Sequence, residues 1–195
     1  MLYLASGSPR RHELLQSLGV EFEVLRVEVE ETWNGSESAV EYVSRVALDK
    51  ARAGCKIAAQ AWPVLAADTE VVVDGMILGK PEDGVHAMEM LGSLSARTHS
   101  VISAVVLKHE TEKLALSHNE VSFRELSRAE IQRYCESGEP LDKAGGYGIQ
   151  GMAANFLAGL DGSYSSVMGL PLRETADLIC SIKYKGAEPE SSPVA

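Results

Sequence analysis

The chain has 195 residues, 18 Lys+Arg against 28 Asp+Glu, and a formal net charge of −10. At about 150 residues per domain this is one domain, able to bury ~70% of its unfolded surface without staples, and 45% hydrophobic content excludes wholesale disorder. Residues 1–100 carry 9 basic and 15 acidic side chains and residues 101–195 carry 9 and 13, so the clustered positive charge that nucleic-acid backbones require is missing. A small anionic substrate would have to find its positive charge in a few local residues or a metal.

In chain order, Leu2–Ala5 reads as a short buried strand. Ser8 is a candidate N-cap with Pro9 at the first helical position; Leu14, Leu15 and Leu18 form the helix's apolar stripe, and Gly19 stops it. Glu21–Val29 alternates as a half-buried strand, a helix spans Ser38–Ala59, and a strand Val64–Ala67 ends at Asp68. Asp74-Gly75 between apolar runs predicts a hairpin over Val71–Leu78. A helix follows at Gly84–Leu94, then an antiparallel pair, Ser100–Lys108 and Leu114–Phe123. Ser127 and Glu130 form a capping box opening a helix that ends near Gly138. Gly138–Gly151 holds five glycines in 14 positions, Asn155–Val167 suits two short strands, and Pro171 starts a last helix. Interleaved strands and helices with hairpins predict a mixed α/β sheet.

Cys55, Cys135 and Cys180 are odd in number and widely spaced, which argues against a disulfide framework or structural zinc and for reduced thiols. The N-terminal charges follow the apolar residues, the reverse of a signal peptide, and no apolar run approaches the ~20 residues of a membrane helix. The expected location is the cytoplasm, with no membrane partner. The expected domain is 1–185, with a frayed polar tail from Gly186 to Ala195.

Four constellations could carry chemistry. Ser6-Gly7-Ser8-Pro9-Arg10-Arg11 sits where a strand meets a helix N-terminus, an anion seat with bidentate donors beside it; the plain alternative is a cap followed by surface arginines. Lys50 falls in the apolar stripe of its helix, so it either snorkels out at the core rim or aims an ammonium into a polar cleft. Asp68-Thr69 follows an apolar strand, where a carboxylate holds Mg²⁺ or takes a proton from water, or merely caps a turn. One of Glu28, Glu30 and Glu31 could complete that same hard-cation site, or the three form a solvated face. The glycines around Asp142-Lys143, Tyr147 and Gln150 either let backbone approach a ligand or make a flexible spacer. The Gly162–Ser166 segment is weaker, and a simple turn accounts for it.

Taken together, ASGSPRR (Ala5–Arg11), Glu30-Glu31, Lys50-Ala51, AADT (Ala66–Thr69), GKP (Gly79–Pro81), LSARTHSV (Leu94–Val101), EPLDKAGGYGIQG (Glu139–Gly151) and GSYSSVMGLP (Gly162–Pro171) resemble the Maf family of nucleoside triphosphate pyrophosphatases, in the family's order. Two departures are Ala96, where the family usually has Gly, and Gly146, where it usually has Ala. The resemblance implies a twisted sheet with flanking helices and two lobes around a central ligand cleft, as in inosine triphosphatase-like proteins. It also implies hydrolysis of a nucleotide's α–β anhydride. Asp68 matches the proton acceptor, and Arg10, Thr69 and Gln150 match the set of the subtype acting on dTTP, UTP and modified pyrimidine nucleotides. On this reading Glu31 and Asp68 hold Mg²⁺ or Mn²⁺, Arg11, Lys50 and Lys80 neutralise the triphosphate, and Ser8 and Lys143 bind substrate. A homodimer is implied too. The competing function is a non-catalytic nucleotide-binding regulator of septum formation.

Overall fold

The computed structural model describes residues 1–183, and the expected tail lies outside them. Its strands are β1 (Leu2–Ala5), β2 (Phe22–Leu25), β3 (Val64–Val73), β4 (Met76–Leu78), β5 (Thr98–Lys108), β6 (Glu112–Phe123) and β7 (Leu157–Asp161). Its helices are α1 (Pro9–Ser17), α2 (Ala39–Ile57), α3 (Gly84–Leu94), α4 (Arg128–Glu136), the single turn α5 (Tyr164–Val167) and α6 (Leu172–Lys183). Three 3-10 turns, Glu139–Asp142, Ala144–Gly146 and Met152–Phe156, shape the glycine-rich stretch. All seven strands join one mixed sheet in the order β2-β1-β3-β5-β6-β7, with β4 also paired to β3. β1 runs parallel to β2 and β3, and the other pairings are antiparallel.

The sheet is covered on both faces. α2 is opened by a capping box between Ser38 and Glu41, and its Val43, Ala47 and Ala51 pack on Tyr3, Val64, Ala66 and Ala104. On the opposite face Leu14 and Leu15 of α1 and Ile179 of α6 pack on Leu4, Leu65, Val105 and Leu107. A third cluster, Val71, Leu91, Leu94, Val121, Phe123, Tyr134 and Tyr147, fills the space under α3 and α4.

Four expectations are corrected. β2 ends at Leu25, not Val29, because its partner β1 ends at Ala5 and the ladder has nothing further to pair. β3 does not stop before Asp68: β5 pairs it continuously from Val64↔Lys108 to Val72↔Ser100, so the polar run Asp68-Thr69-Glu70 stays in the strand. Residues 155–167 give one strand, β7, and then the turn α5. Ser8 occupies the N-cap of α1, but its side chain makes no capping bond.

The pairing of β3 creates the cleft. One edge is fully occupied by β5. The other is paired by β1 only at Val64 and Leu65 and by β4 only at Val71–Val73, which leaves Ala66–Glu70 without a strand neighbour. Ligands in α/β sheets collect beyond the carboxyl end of a strand, and here β1 ends and β3 carries on past it.

The two departures from the family pattern have opposite backbone consequences. Ala96 sits at φ 57, a left-handed conformation that costs an L-residue roughly 1 kcal/mol, held by its N–H donating to the Arg124 carbonyl. Gly146 sits at φ 70, where glycine adopts the same region freely.

Candidate active site

All ten residues given a role by the family resemblance line one cleft of about 710 Å³: Ser8, Arg10, Arg11, Glu31, Lys50, Asp68, Thr69, Lys80, Lys143 and Gln150. Glu28 and Glu30 do not line it. Gly169, from the Gly162–Pro171 motif, lines it as well, as do Glu70 and Tyr42, neither of which was picked out beforehand.

One wall is built of charges. Lys50 is nearly buried (9% exposed); of its two readings, the ammonium points inward. It donates to Asp68 Oδ1 at 2.8 Å and pairs with Glu31 Oε1 at 2.7 Å. Lys80 lies 3.4 Å from Glu31 Oε2. Burial raises the Glu31 carboxyl, but Lys50 and Lys80 outweigh it and hold Glu31 below its ordinary value. The Tyr42 hydroxyl donates to the Glu31 carbonyl at 2.7 Å, pinning the otherwise irregular segment that carries Glu31. Burial lowers the Arg11 guanidinium, and Asp68 and Glu31 oppose that loss. Its Nε donates to the Gly169 carbonyl at 2.8 Å. Gly169 has φ +115, and a Cβ there would stand 3.4 Å from Arg11 Nε.

Two carboxylate oxygens on this wall, Asp68 Oδ2 and Glu70 Oε2, are buried with no hydrogen-bond partner. Burial, reinforced by Asp68 and Glu31, pushes the Glu70 carboxyl well up. Glu70 was recognisable in principle: strand side chains alternate, so a strand continuing past Asp68 puts residue 70 on the same face. Reading the strand as ending at Asp68 hid it.

Among the described residues no three His, Cys, Asp or Glu side chains are grouped to cage a metal. Mg²⁺ characteristically takes one or two protein carboxylates plus substrate phosphates. Asp68 Oδ2, a buried oxygen without a donor, suits that mode.

The other wall is built mainly of hydrogen bonds and close backbone packing. Thr69 faces away from Asp68, and its hydroxyl lies 2.8 Å from Ser103 on β5. The glycine-rich segment is pressed against β3: a Cβ at Gly145, which has φ +67, would sit 2.9 Å from Val71, and the Gly145 N–H donates to the Gly79 carbonyl. Tyr147 is buried, its hydroxyl 2.7 Å from His99 Nε2, with both rings edge-on to Phe123. Burial, and then Arg97, lowers His99 to about 4, so it is neutral near pH 7. Tyr134 donates to Glu139 Oε1 and accepts from the Gly148 N–H. Glu139 Oε2 in turn accepts from the Met152 N–H. Gln150 is thereby presented from a braced loop, not a spacer. Lys143 Nζ is held by Asp142 at 2.6 Å, and Arg10 lies against Gly148, 3.6 Å from where a Cβ would stand. Ser8 donates its backbone N–H to Ser6 Oγ, and both serines line the cleft.

The described residues contain no helix long and apolar enough to cross a membrane. A protein of Methylococcus capsulatus named dTTP/UTP pyrophosphatase is 56% identical over 179 residues, covering 91% of this chain and 89% of its own length. One of the same name from Yersinia pestis is 52% identical, covering 91% of each. The solved nucleoside-triphosphatase / dITP/XTP pyrophosphatase of Mycobacterium abscessus covers 96% of this chain and 97% of its own at 18% identity, with a TM-score of 0.44, too low to bear on this chain. Residues 1–182 match the family described as Maf-like protein, and with relatives this similar over nine-tenths of its length the chain belongs to the Maf family.

Proposed function

We propose that this chain is a nucleoside triphosphate pyrophosphatase that hydrolyses dTTP and UTP to the nucleoside monophosphate and pyrophosphate. The names of relatives at 52–56% identity support the substrate. The observation that carries the chemistry is the state of Asp68. Lys50 fixes Oδ1, while Oδ2 is buried and free of any donor, on a residue that lines the cleft. A carboxylate held by one oxygen and bare at the other is placed to orient a water and take its proton.

In the reaction the water oxygen bonds to the α-phosphorus as the bond from that phosphorus to the bridging oxygen breaks. The water proton passes to Asp68, and pyrophosphate leaves. Arg11, Lys50 and Lys80 oppose the charge on the triphosphate and on the departing pyrophosphate, so catalysis is mainly positioning and electrostatics. Asp68 and Glu31 would hold a divalent cation, Mg²⁺ or Mn²⁺, which when bound supplies further neutralisation of phosphate oxygens. Ser8 donates to a phosphate oxygen, and Lys143 adds charge at the loop side. Arg10, Thr69 and Gln150 lie toward the base. A Gln amide presents a donor and an acceptor, matching the carbonyls and N–H of a uracil or thymine edge. The enzyme is proposed to act in the cytoplasm as a homodimer, which light scattering in solution would check.

The direct test is Asp68→Asn, assayed for pyrophosphate release from UTP with Mg²⁺. The isostere keeps the shape and removes the base, so turnover should fall by ~10² to 10⁴-fold. Near wild-type turnover would overturn the assignment.

A further inference from the structure

Thr69 and Ser103 face each other across the β3–β5 ladder, and the direction of the hydrogen bond between them is determined by what lies behind. Ser103 is fully buried. Its hydroxyl stands 2.8 Å from the Ser166 carbonyl, which can only accept, so the single Ser103 proton points there. The 2.8 Å contact between Thr69 and Ser103 must then be donated by Thr69. The relay is locked from behind. Asn119 Nδ2 donates to Ser166 Oγ at 2.9 Å and to the Val101 carbonyl at 3.0 Å, and its Oδ1 accepts from the Ser163 N–H at 2.7 Å. The Gly162–Ser166 segment, read from the sequence as a turn, is the terminus of this chain of bonds.

We infer that Ser103 and Ser166 fix Thr69 as an obligate acceptor, so that within the cleft it reads an N–H donor on the nucleobase edge. The inference rests on the pyrimidine triphosphate reading and deepens it. An acceptor-only hydroxyl cannot serve phosphate, whose oxygens also accept; phosphate is left to the charged wall. It matches N3–H of uracil and thymine. Cytosine has a bare acceptor at N3, which would face the lone pairs of Thr69 with no proton between them. A buried polar mismatch of that kind is what gives hydrogen-bonding sites strong discrimination. Ser103 is thus a positioning residue: it touches no substrate and sets the polarity of one that does.

The experiment measures kcat/KM for UTP, dTTP and CTP by pyrophosphate release, for wild type, Ser103→Ala, Thr69→Ser and Thr69→Val. Ser103→Ala frees the Thr69 proton to turn toward the cleft, so the UTP-to-CTP ratio should fall by about 10-fold or more, largely through a gain on CTP. Thr69→Ser keeps the relay and should keep the ratio. Thr69→Val removes the acceptor and should lower UTP without raising CTP. Should Ser103→Ala fail to fold, the two Thr69 variants decide the matter. A folded Ser103→Ala with an unchanged ratio would overturn the inference. So would losses shared equally by UTP and CTP, which would place the partner of Thr69 on the sugar. Wild-type protein that releases no pyrophosphate from UTP or dTTP would instead overturn the substrate reading itself.

Discussion

Asp68 and Thr69 are neighbours in the chain and opposites in surroundings. Strand alternation turns Asp68 to the α2 face of the sheet, where it meets the Lys50 ammonium, and turns Thr69 to the opposite face, where it meets neutral hydroxyls in series. The charged side suits a reaction whose difficulty is the charge on a triphosphate, because ions act strongly in a partly desolvated cleft. The neutral side suits a choice between bases that differ in the direction of their hydrogen bonds, where fixed polarity matters more than strength. One open strand edge serves both because β1 and β4 leave it unpaired between them.

The comparison breaks most visibly at Lys50. Lys50→Met keeps the stem and deletes the charge, leaving the buried Asp68 carboxylate without its partner. Loss of one member of a buried pair costs ~3–5 kcal/mol, and kcat should fall by ~10² to 10³-fold; thermal unfolding and pyrophosphate release measure the two. Glu70→Gln is the next largest. The folded value of Glu70 lies well above its ordinary 4.5, so the folded state favours the protonated form. Its contribution to stability is therefore full below 4.5 and is lost as pH rises toward the folded value. The neutral isostere escapes that loss. In metal-free protein, Glu70→Gln should gain stability over wild type as pH rises above the ordinary carboxylate range, and the advantage should vanish near pH 4. Denaturant midpoints at pH 7 and pH 4 check it. The smallest effect lies away from both walls. Ala96→Gly relieves a left-handed alanine and should gain about 0.5–1 kcal/mol with no change in kcat or KM.

Local signals in the chain were legible where local physics decides. Asp74 and Gly75 both take positive φ in the β3–β4 hairpin, and the Ser127–Glu130 capping box opens α4. The ten cleft residues were recognisable as a set through eight ordered motifs, although they come from elements scattered over most of the chain. What escaped is non-local. Asp68-Thr69-Glu70 looked like a break because isolated polar runs do not sit in buried strands; β5, pairing from thirty residues onward, carries them in an unbroken ladder. The same error hid Glu70. The Gly162–Ser166 segment looked like a plain turn because its meaning depends on Asn119 and Ser103, which reach it from two other strands.

Division of labour between the two walls is tested most directly by one measurement: kcat/KM over UTP, dTTP, CTP, ATP and GTP for wild type, Lys50→Met and Gln150→Ala. Lys50→Met should depress every nucleotide by a similar factor and preserve their ranking. Gln150→Ala should compress the ranking while leaving kcat for UTP within a few-fold of wild type. A ranking reordered by Lys50→Met, or a uniform collapse of turnover in Gln150→Ala, would contradict the account.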